Sequence, residues 1–271
     1  MTPVFCEGQL KDKVALVTGG GSGINLAIAE RFAQHGAKVA LIGRTQEKLD
    51  AAVAGIADGG GMAAGFSADV RDYDALAIAI AAAREKLGRI DIVVCGAAGN
   101  FPAPALGMSA NGFKAVVDID LLGTFNTCRA AFEHLNRPGA SIVNISAPQA
   151  FVPMAMQAHV CAAKAGVDML TKTLALEWGP EGVRVNSIAP GPVNGTEGVR
   201  RLMPTEGARE SATKMIPLRR FAEKSDIADL ALFLCSAAAS YITGAVMVCD
   251  GGQSLIPTRF DLLVRGVAST Q

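Results

Sequence analysis

Short runs of β-branched and apolar residues alternate along the chain with segments whose apolar residues recur at helical spacing. The runs at 14–18, 38–42, 63–67, 91–95, 141–146, 183–188 and 246–249 predict seven strands. Helices are predicted at 23–35, 46–56, 73–86, about 110–134, about 158–178 and 226–236. Alternation of this kind builds βαβ units, and right-handed crossovers then give a doubly wound α/β fold with one parallel sheet and helices on both faces. No linker, charge run or repeat interrupts the pattern, so residues 1–271 read as a single domain with its core at about 11–255. A ligand crevice is expected at the carboxyl ends of the strands. The stretch 196–219 is the longest weakly patterned insertion and is expected to overhang that crevice as a lid.

Composition narrows the chemistry. The 271 residues are 50% hydrophobic and 18% charged, enough apolar surface for a large core. Twenty-five basic and 25 acidic side chains cancel, which removes the basic footprint of a nucleic-acid binder and points to small-molecule partners. The six cysteines form no CxxC pair and mostly sit in apolar stretches, so buried free thiols in a reducing compartment are expected, with no metal site. No apolar run reaches the roughly 18 residues of a membrane span, and the expected location is cytoplasmic. Residues 258–271 end in Val267-Ala268-Ser269-Thr270-Gln271, unlike a Ser-Lys-Leu peroxisomal address.

The segment Thr18-Gly19-Gly20-Gly21-Ser22-Gly23-Ile24-Asn25 follows the first strand and opens the first helix. Glycines at such a junction let backbone N–H groups approach a pyrophosphate, and the helix N-terminus adds favourable partial positive charge. Gly19, Gly21, Ser22, Gly23 and Ile24 are therefore candidate dinucleotide contacts. The second strand ends in Gly43-Arg44. An acid at this place accepts a ribose 2′-hydroxyl, whereas Arg44 matches a 2′-phosphate, so the expected cofactor is NADP.

With Ala68-Asp69-Val70, Gly96-Ala97-Ala98-Gly99, Lys164, Asn186, Pro190-Gly191 and Asp250-Gly251-Gly252, the chain resembles the short-chain dehydrogenase/reductase family over roughly residues 11–255. The resemblance implies that Asp69 and Val70 contact the adenine and that Ala97, Ala98 and Gly99 line the cofactor channel. It also implies that the turn from Pro190 and Gly191 through Val193 to Thr196 holds the nicotinamide end. Where the family has a third glycine this chain has Asn25, whose side chain must crowd the helix–strand contact or reach toward the phosphates.

The family's catalytic pattern is broken. A Tyr four residues before the Lys and a Ser thirteen before that Tyr fall on Val160 and Ala147, and the usual Asn falls on Asp120. The same substitutions occur in the peroxisomal-type 2,4-dienoyl-CoA reductases. The chain is similar to that subgroup in Ala97-Ala98-Gly99-Asn100-Phe101, Asp118-Ile119-Asp120, His159, Ala162 and Lys164, Glu177-Trp178-Gly179-Pro180 and Gly195-Thr196-Glu197-Gly198. The resemblance implies reduction of a dienoyl or related enoyl thioester in fatty-acid β-oxidation. Hydride reaching the far end of the conjugated system gives a dienolate whose proton lands on carbon, so no phenol is required. Asp120 is the candidate proton source, directly or through water, with Lys164 on the nicotinamide ribose. Asp118 is the weaker choice, and His159, beside the vacant Tyr position, reads as structural before catalytic.

An acyl-CoA substrate implies contacts from Arg71, Phe101, Ser109, Asn111 and Arg201, positions that correspond to substrate contacts in the subgroup. The family's habit of pairing through two long helices implies a homotetramer. Two rivals stand beside this reading. One is a reductase or dehydrogenase of another carbonyl or alcohol, and the other is an NADP-binding protein without turnover.

Overall fold

A computed structural model describes residues 5–255. The expectation about the carboxyl-terminal address falls on residues outside that range. Seven parallel strands form one sheet in the order β3-β2-β1-β4-β5-β6-β7. They are β1 Val14–Thr18, β2 Lys38–Gly43, β3 Met62–Ser67, β4 Ile92–Cys95, β5 Ser141–Ile145, β6 Arg184–Pro190 and β7 Val246–Cys249. Every residue of β1, β4 and β5 is buried, as central strands covered on both faces must be.

The alternation of side chains along each strand divides the interior in two. Ala15, Val17, Val39, Leu41, Ile92 and Val94 face the core shared with helices α1 (Gly23–Gln34), α2 (Gln46–Asp58) and α9 (Lys224–Cys235). Leu16, Ala40, Ile42, Val93 and Cys95 face the core shared with α3 (Tyr73–Leu87), α5 (Gly123–Phe132) and α6 (Ala158–Trp178). Asp72 caps α3 by accepting from the Ala75 N–H, and Gly88 at φ 114° ends it. At α9 the Glu223 and Asp226 side chains form a reciprocal capping box.

Three differences from the sequence reading bear on the site. The helix expected over 110–134 consists of α4 (Ala110–Val117) and α5, joined by a π-helical turn, Asp118–Leu122. Strand β6 runs on to Pro190, so the Pro190-Gly191 turn starts from the sheet itself. The lid is not a weakly patterned loop: it holds α7 (Glu197–Leu202) and α8 (Glu206–Met215). Thr196 and Thr205 cap them by accepting from the Val199 and Ala208 N–H groups.

All six cysteines are free, but Cys6 is exposed and only Cys95 and Cys128 are fully buried. Among the described residues no helix is long and apolar enough to cross a membrane, and no acidic, His or Cys cluster is arranged for a metal ion.

Candidate active site

Strand β1 delivers the glycine-rich turn to the carboxyl edge of the sheet, where Gly19 and Gly23 take φ values of +69° and +64°. A Cβ on Gly19 would lie 3.1 Å from the Ala97 backbone, whereas one on Gly23 would meet nothing within 4 Å. The turn therefore packs on one side and opens on the other into a crevice of about 370 Å³. Gly19, Gly21, Ser22, Gly23, Ile24, Arg44, Asp69, Val70, Ala97, Ala98 and Thr196 all line it. Gly99, Lys164, Pro190, Gly191 and Val193 are not among its lining residues. An open glycine cradle at a helix N-terminus, with exposed Arg44 and Lys48 alongside, fits a phosphorylated dinucleotide.

Asn25 resolves in favour of the helix–strand contact. Its Nδ2 donates to the Gly96 carbonyl at 2.7 Å, tying α1 to the end of β4. A Cβ on Gly96 would lie 2.0 Å from Asn25 Oδ1, so the amide occupies space that Gly96 leaves empty. The Asp69 carboxylate is gripped by Arg71, with Nε 3.0 Å from Oδ1 and Nη2 2.5 Å from Oδ2. The Arg71 guanidinium holds the Asp69 carboxyl below the usual carboxylate range, with a smaller pull from Arg44.

Next to Ile119, which lines the crevice, the π-turn holds Asp120, only 1% exposed. A π-turn breaks the regular helical ladder, and here Thr124 Oγ1 donates to the Asp120 carbonyl at 2.6 Å. Gly123 allows the helix to pass close to Val70, whose side chain lies 2.5 Å from where a Cβ would stand. The Asp120 carboxylate accepts from the Gly99 N–H at 2.7 Å through Oδ1. Its Oδ2 lies 3.2 Å from Lys164 Nζ, an ion contact without good hydrogen-bond alignment, because Nζ is directed at the Ile145 carbonyl 2.9 Å away. The two expected catalytic residues are thus brought together as a buried pair. Asp118 is turned to the surface and paired with Lys114.

The missing Tyr and Ser are not replaced by another phenol. Val160 is buried against Val116, Ala163 and Phe101. Of the chain's two tyrosines, Tyr73 opens α3 and Tyr241 is fully exposed, and neither lines the crevice.

The expected substrate residues divide. Phe101 lies on the loop after β4 with its ring 4.6 Å from that of His159. Ser109 is the N-cap of α4, its hydroxyl accepting from the Gly112 N–H, while Asn111 is exposed on the first turn. Arg201 on α7 donates to Glu197 at 2.7 Å and to the Asn100 carbonyl at 2.9 Å, clasping the lid to the β4–α4 loop. Three groups escaped the sequence reading: Asn100, Ser146 and the depth of His159. Ser146 and His159 are buried and Asn100 is partly buried, and Ser146 Oγ, Asn100 Oδ1 and both His159 ring nitrogens find no partner.

Comparison with known proteins agrees with this architecture. The family model described as "Enoyl-(Acyl carrier protein) reductase" matches residues 19–254. The chain is 45% identical to the peroxisomal 2,4-dienoyl-CoA reductase, (3E)-enoyl-CoA-producing, of Pongo abelii, over 92% of this chain and 86% of that one. It is 41% identical to a Bacillus subtilis protein named "Probable 2,4-dienoyl-CoA reductase", (2E)-enoyl-CoA-producing, over 93% of this chain and all of that one. A crystal structure of a short chain dehydrogenase from Bacillus anthracis superimposes with a TM-score of 0.82 at 39% identity, covering 92% and 99% of the two chains. Such relatives imply oxidoreductase chemistry with a nicotinamide cofactor. The chain belongs to the short-chain dehydrogenase/reductase family.

Proposed function

We propose that the protein is an NADPH-dependent reductase of 2,4-dienoyl-CoA thioesters. The observation that carries the reading is the Asp120–Lys164 pair, buried at the crevice end where the family's Tyr and Ser are replaced by Val160 and Ala147. Carbonyl reduction needs a donor aimed at an alkoxide. A conjugated thioester does not, because its electrons come to rest in a dienolate that is protonated at carbon.

The NADPH is held by the Gly19–Ile24 turn, by Asp69 and Val70 at the adenine, by Ala97, Ala98 and Gly99 along the channel and by the Pro190–Thr196 turn at the nicotinamide. Arg44 receives the 2′-phosphate. When bound, the cofactor supplies a hydride to the δ-carbon of the dienoyl chain. Asp120 feeds a proton to Cα, directly or through one water, giving a 3-enoyl thioester. Gly99 N–H and Lys164 fix the carboxyl for that delivery, and Lys164 also holds the nicotinamide ribose. Phe101 and Asn111 form the acyl-CoA wall, Ser109 shaping it as the cap of α4, with Arg71 and Arg201 at the mouth.

The protein works as a homotetramer in the cytoplasm. Exposed Phe113, Leu122, Phe125, Met169 and Leu176, on α4, the π-turn, α5 and α6, support the assembly, and free cysteines support a reducing compartment. Purified protein should consume NADPH with 2,4-hexadienoyl-CoA but not with acetoacetyl-CoA or without an acceptor. Consumption with the keto thioester alone would establish a carbonyl reductase instead, and cofactor binding without oxidation would establish a protein without turnover.

A further inference from the structure

Buried polar atoms without partners are scarce in folded proteins, and each one asks for a reason. Among the described residues three of them fall within two positions of Ala98, Ile119 and Ile145, which line the crevice. Asn100 Oδ1, Asp120 Oδ2 and Ser146 Oγ lie at or just beyond the carboxyl ends of β4 and β5 or on the adjoining π-turn. The extreme case is His159 on the first turn of α6, which is 0% exposed and has no hydrogen-bond partner at either Nδ1 or Nε2. An imidazole always carries at least one N–H, and no choice of tautomer relieves this ring.

Its surroundings are those of the catalytic wall. The ring packs against Phe101 at 4.6 Å and an interplanar angle of 59°. Phe101 follows the Gly99-Asn100 segment whose Gly99 N–H holds Asp120. On the other side, His159 immediately precedes Val160, the place of the missing phenol.

The dienolate reading leaves one requirement without a group. Negative charge builds on the thioester oxygen and needs a donor. Lys164 is directed at the Ile145 carbonyl and in ion contact with Asp120, the Gly99 N–H is taken by Asp120, and Val160 and Ala147 have nothing to donate. Ser146 retains a hydroxyl, which rotates to suit its surroundings, whereas the His159 ring is fixed by its packing.

We propose that His159 is a catalytic residue of this site, its imidazole N–H donating to the thioester oxygen of the substrate. The inference rests on the dienoyl-CoA reading above. Phe101, which is only partly buried, shields the ring in the free protein, and its displacement by the acyl thioester uncovers the donor.

The test compares His159→Leu, His159→Gln and Ser146→Ala by thermal unfolding and by steady-state kinetics with NADPH and 2,4-hexadienoyl-CoA. Removing an unpartnered buried imidazole should raise the midpoint of His159→Leu by a few degrees while kcat falls by about 100-fold, the usual loss for an oxyanion donor, with KM for NADPH unchanged. His159→Gln, which keeps an N–H donor, should recover part of the rate. A His159→Leu protein with wild-type kcat overturns the inference. So does one that loses stability together with rate, because His159 is then structural, and so does a loss that appears in Ser146→Ala instead. Wild-type protein inert toward the dienoyl thioester overturns the functional reading and this inference together, whereas active wild type beside a fully active His159→Leu overturns the inference alone.

Discussion

At the glycine-rich end of the crevice the recognising groups are backbone N–H donors and the gaps that glycines leave. At the Asp120 end they are buried side chains held by other side chains and by single peptide groups. The first end is open, and its exposed Arg44 and Lys48 stand ready for solvent or ligand. The second is closed, with Asp120 and Lys164 almost wholly out of water and with Ser146 and His159 lacking partners. A backbone cradle tolerates side-chain replacement around it, so it can stay constant while the chemistry next to it changes. A site of interlocked side chains changes as a set: here Val160, Ala147 and Asp120 depart together from the family pattern.

The sharpest way to break that contrast is to unpair the closed end. Asp120→Asn keeps the shape and the Gly99 contact but removes the carboxyl proposed to pass the proton on. NADPH oxidation with the dienoyl thioester should fall by about 100-fold or more, the ordinary range for losing a general acid. Lys164→Met should do more to the fold, because it leaves a carboxylate buried without its cation. Breaking a buried pair from one side costs about 3–5 kcal/mol, so denaturant unfolding should show a large loss of stability. A Lys164→Met protein as stable as wild type would show that the contact with Asp120 contributes nothing to the fold.

The open end should respond in specificity rather than in stability. Arg44→Asp replaces the proposed 2′-phosphate partner by a repelling charge. A hydrogen bond to a charged group contributes about 1.5–3 kcal/mol, so the kcat/KM ratio of NADPH to NADH should drop by about 100-fold, read by comparing initial rates with the two cofactors. An unchanged ratio would place the 2′-phosphate elsewhere, with Lys48 the next residue to vary.

Where the two ends meet, Asn25 and Gly96 share one space. Gly96→Ala pushes a methyl group into the amide and should destabilise the protein by about 2 kcal/mol through overpacking. Asn25→Gly loses the bond to the Gly96 carbonyl but empties the space. The double variant should therefore recover stability relative to Gly96→Ala, a coupling visible in thermal unfolding of the four proteins. Additive losses would mean that the two residues do not compete.

These contrasts also mark what the amino-acid sequence disclosed. The seven strands and the glycine turn were legible because a parallel sheet covered on both faces leaves apolar runs, and a backbone cradle leaves glycines, both local signals. The contact between Asp120 and Lys164 is one the sequence could suggest only through the resemblance, by counting positions from Lys164. The helices of the lid were missed, although Thr196-Glu197 and Thr205-Glu206 are ordinary helix starts, because their short apolar stripes are weak. The π-turn left no trace, as the same apolar pattern suits a regular helix. The unpartnered state of Ser146, Asn100 and His159 is a property of three segments meeting in space. Ser109 was correctly located but its hydroxyl is taken up as a helix cap, which a Ser-Ala-Asn start permits one to anticipate.

Arg201 offers the finest test of how the two ends communicate. Its Nε and Nη1 are occupied by Glu197 and by the Asn100 carbonyl, one residue beyond the Gly99 that holds Asp120. The guanidinium therefore joins the lid, whose Thr196, Glu197 and Gly198 line the open end, to the loop that supports the closed end. Arg201→Ala should loosen both, with NADPH dissociating about two- to fivefold faster and kcat falling by a similar factor, since a solvent-exposed ion pair is a weak link. If the clasp is what matters, dienoyl-CoA and the matching dienoyl N-acetylcysteamine thioester, which lacks the nucleotide, should be affected alike. A rise in KM confined to the CoA thioester would instead show that the guanidinium leaves its present partners to bind a CoA phosphate. The lid would then be fastened by the substrate and not by the chain.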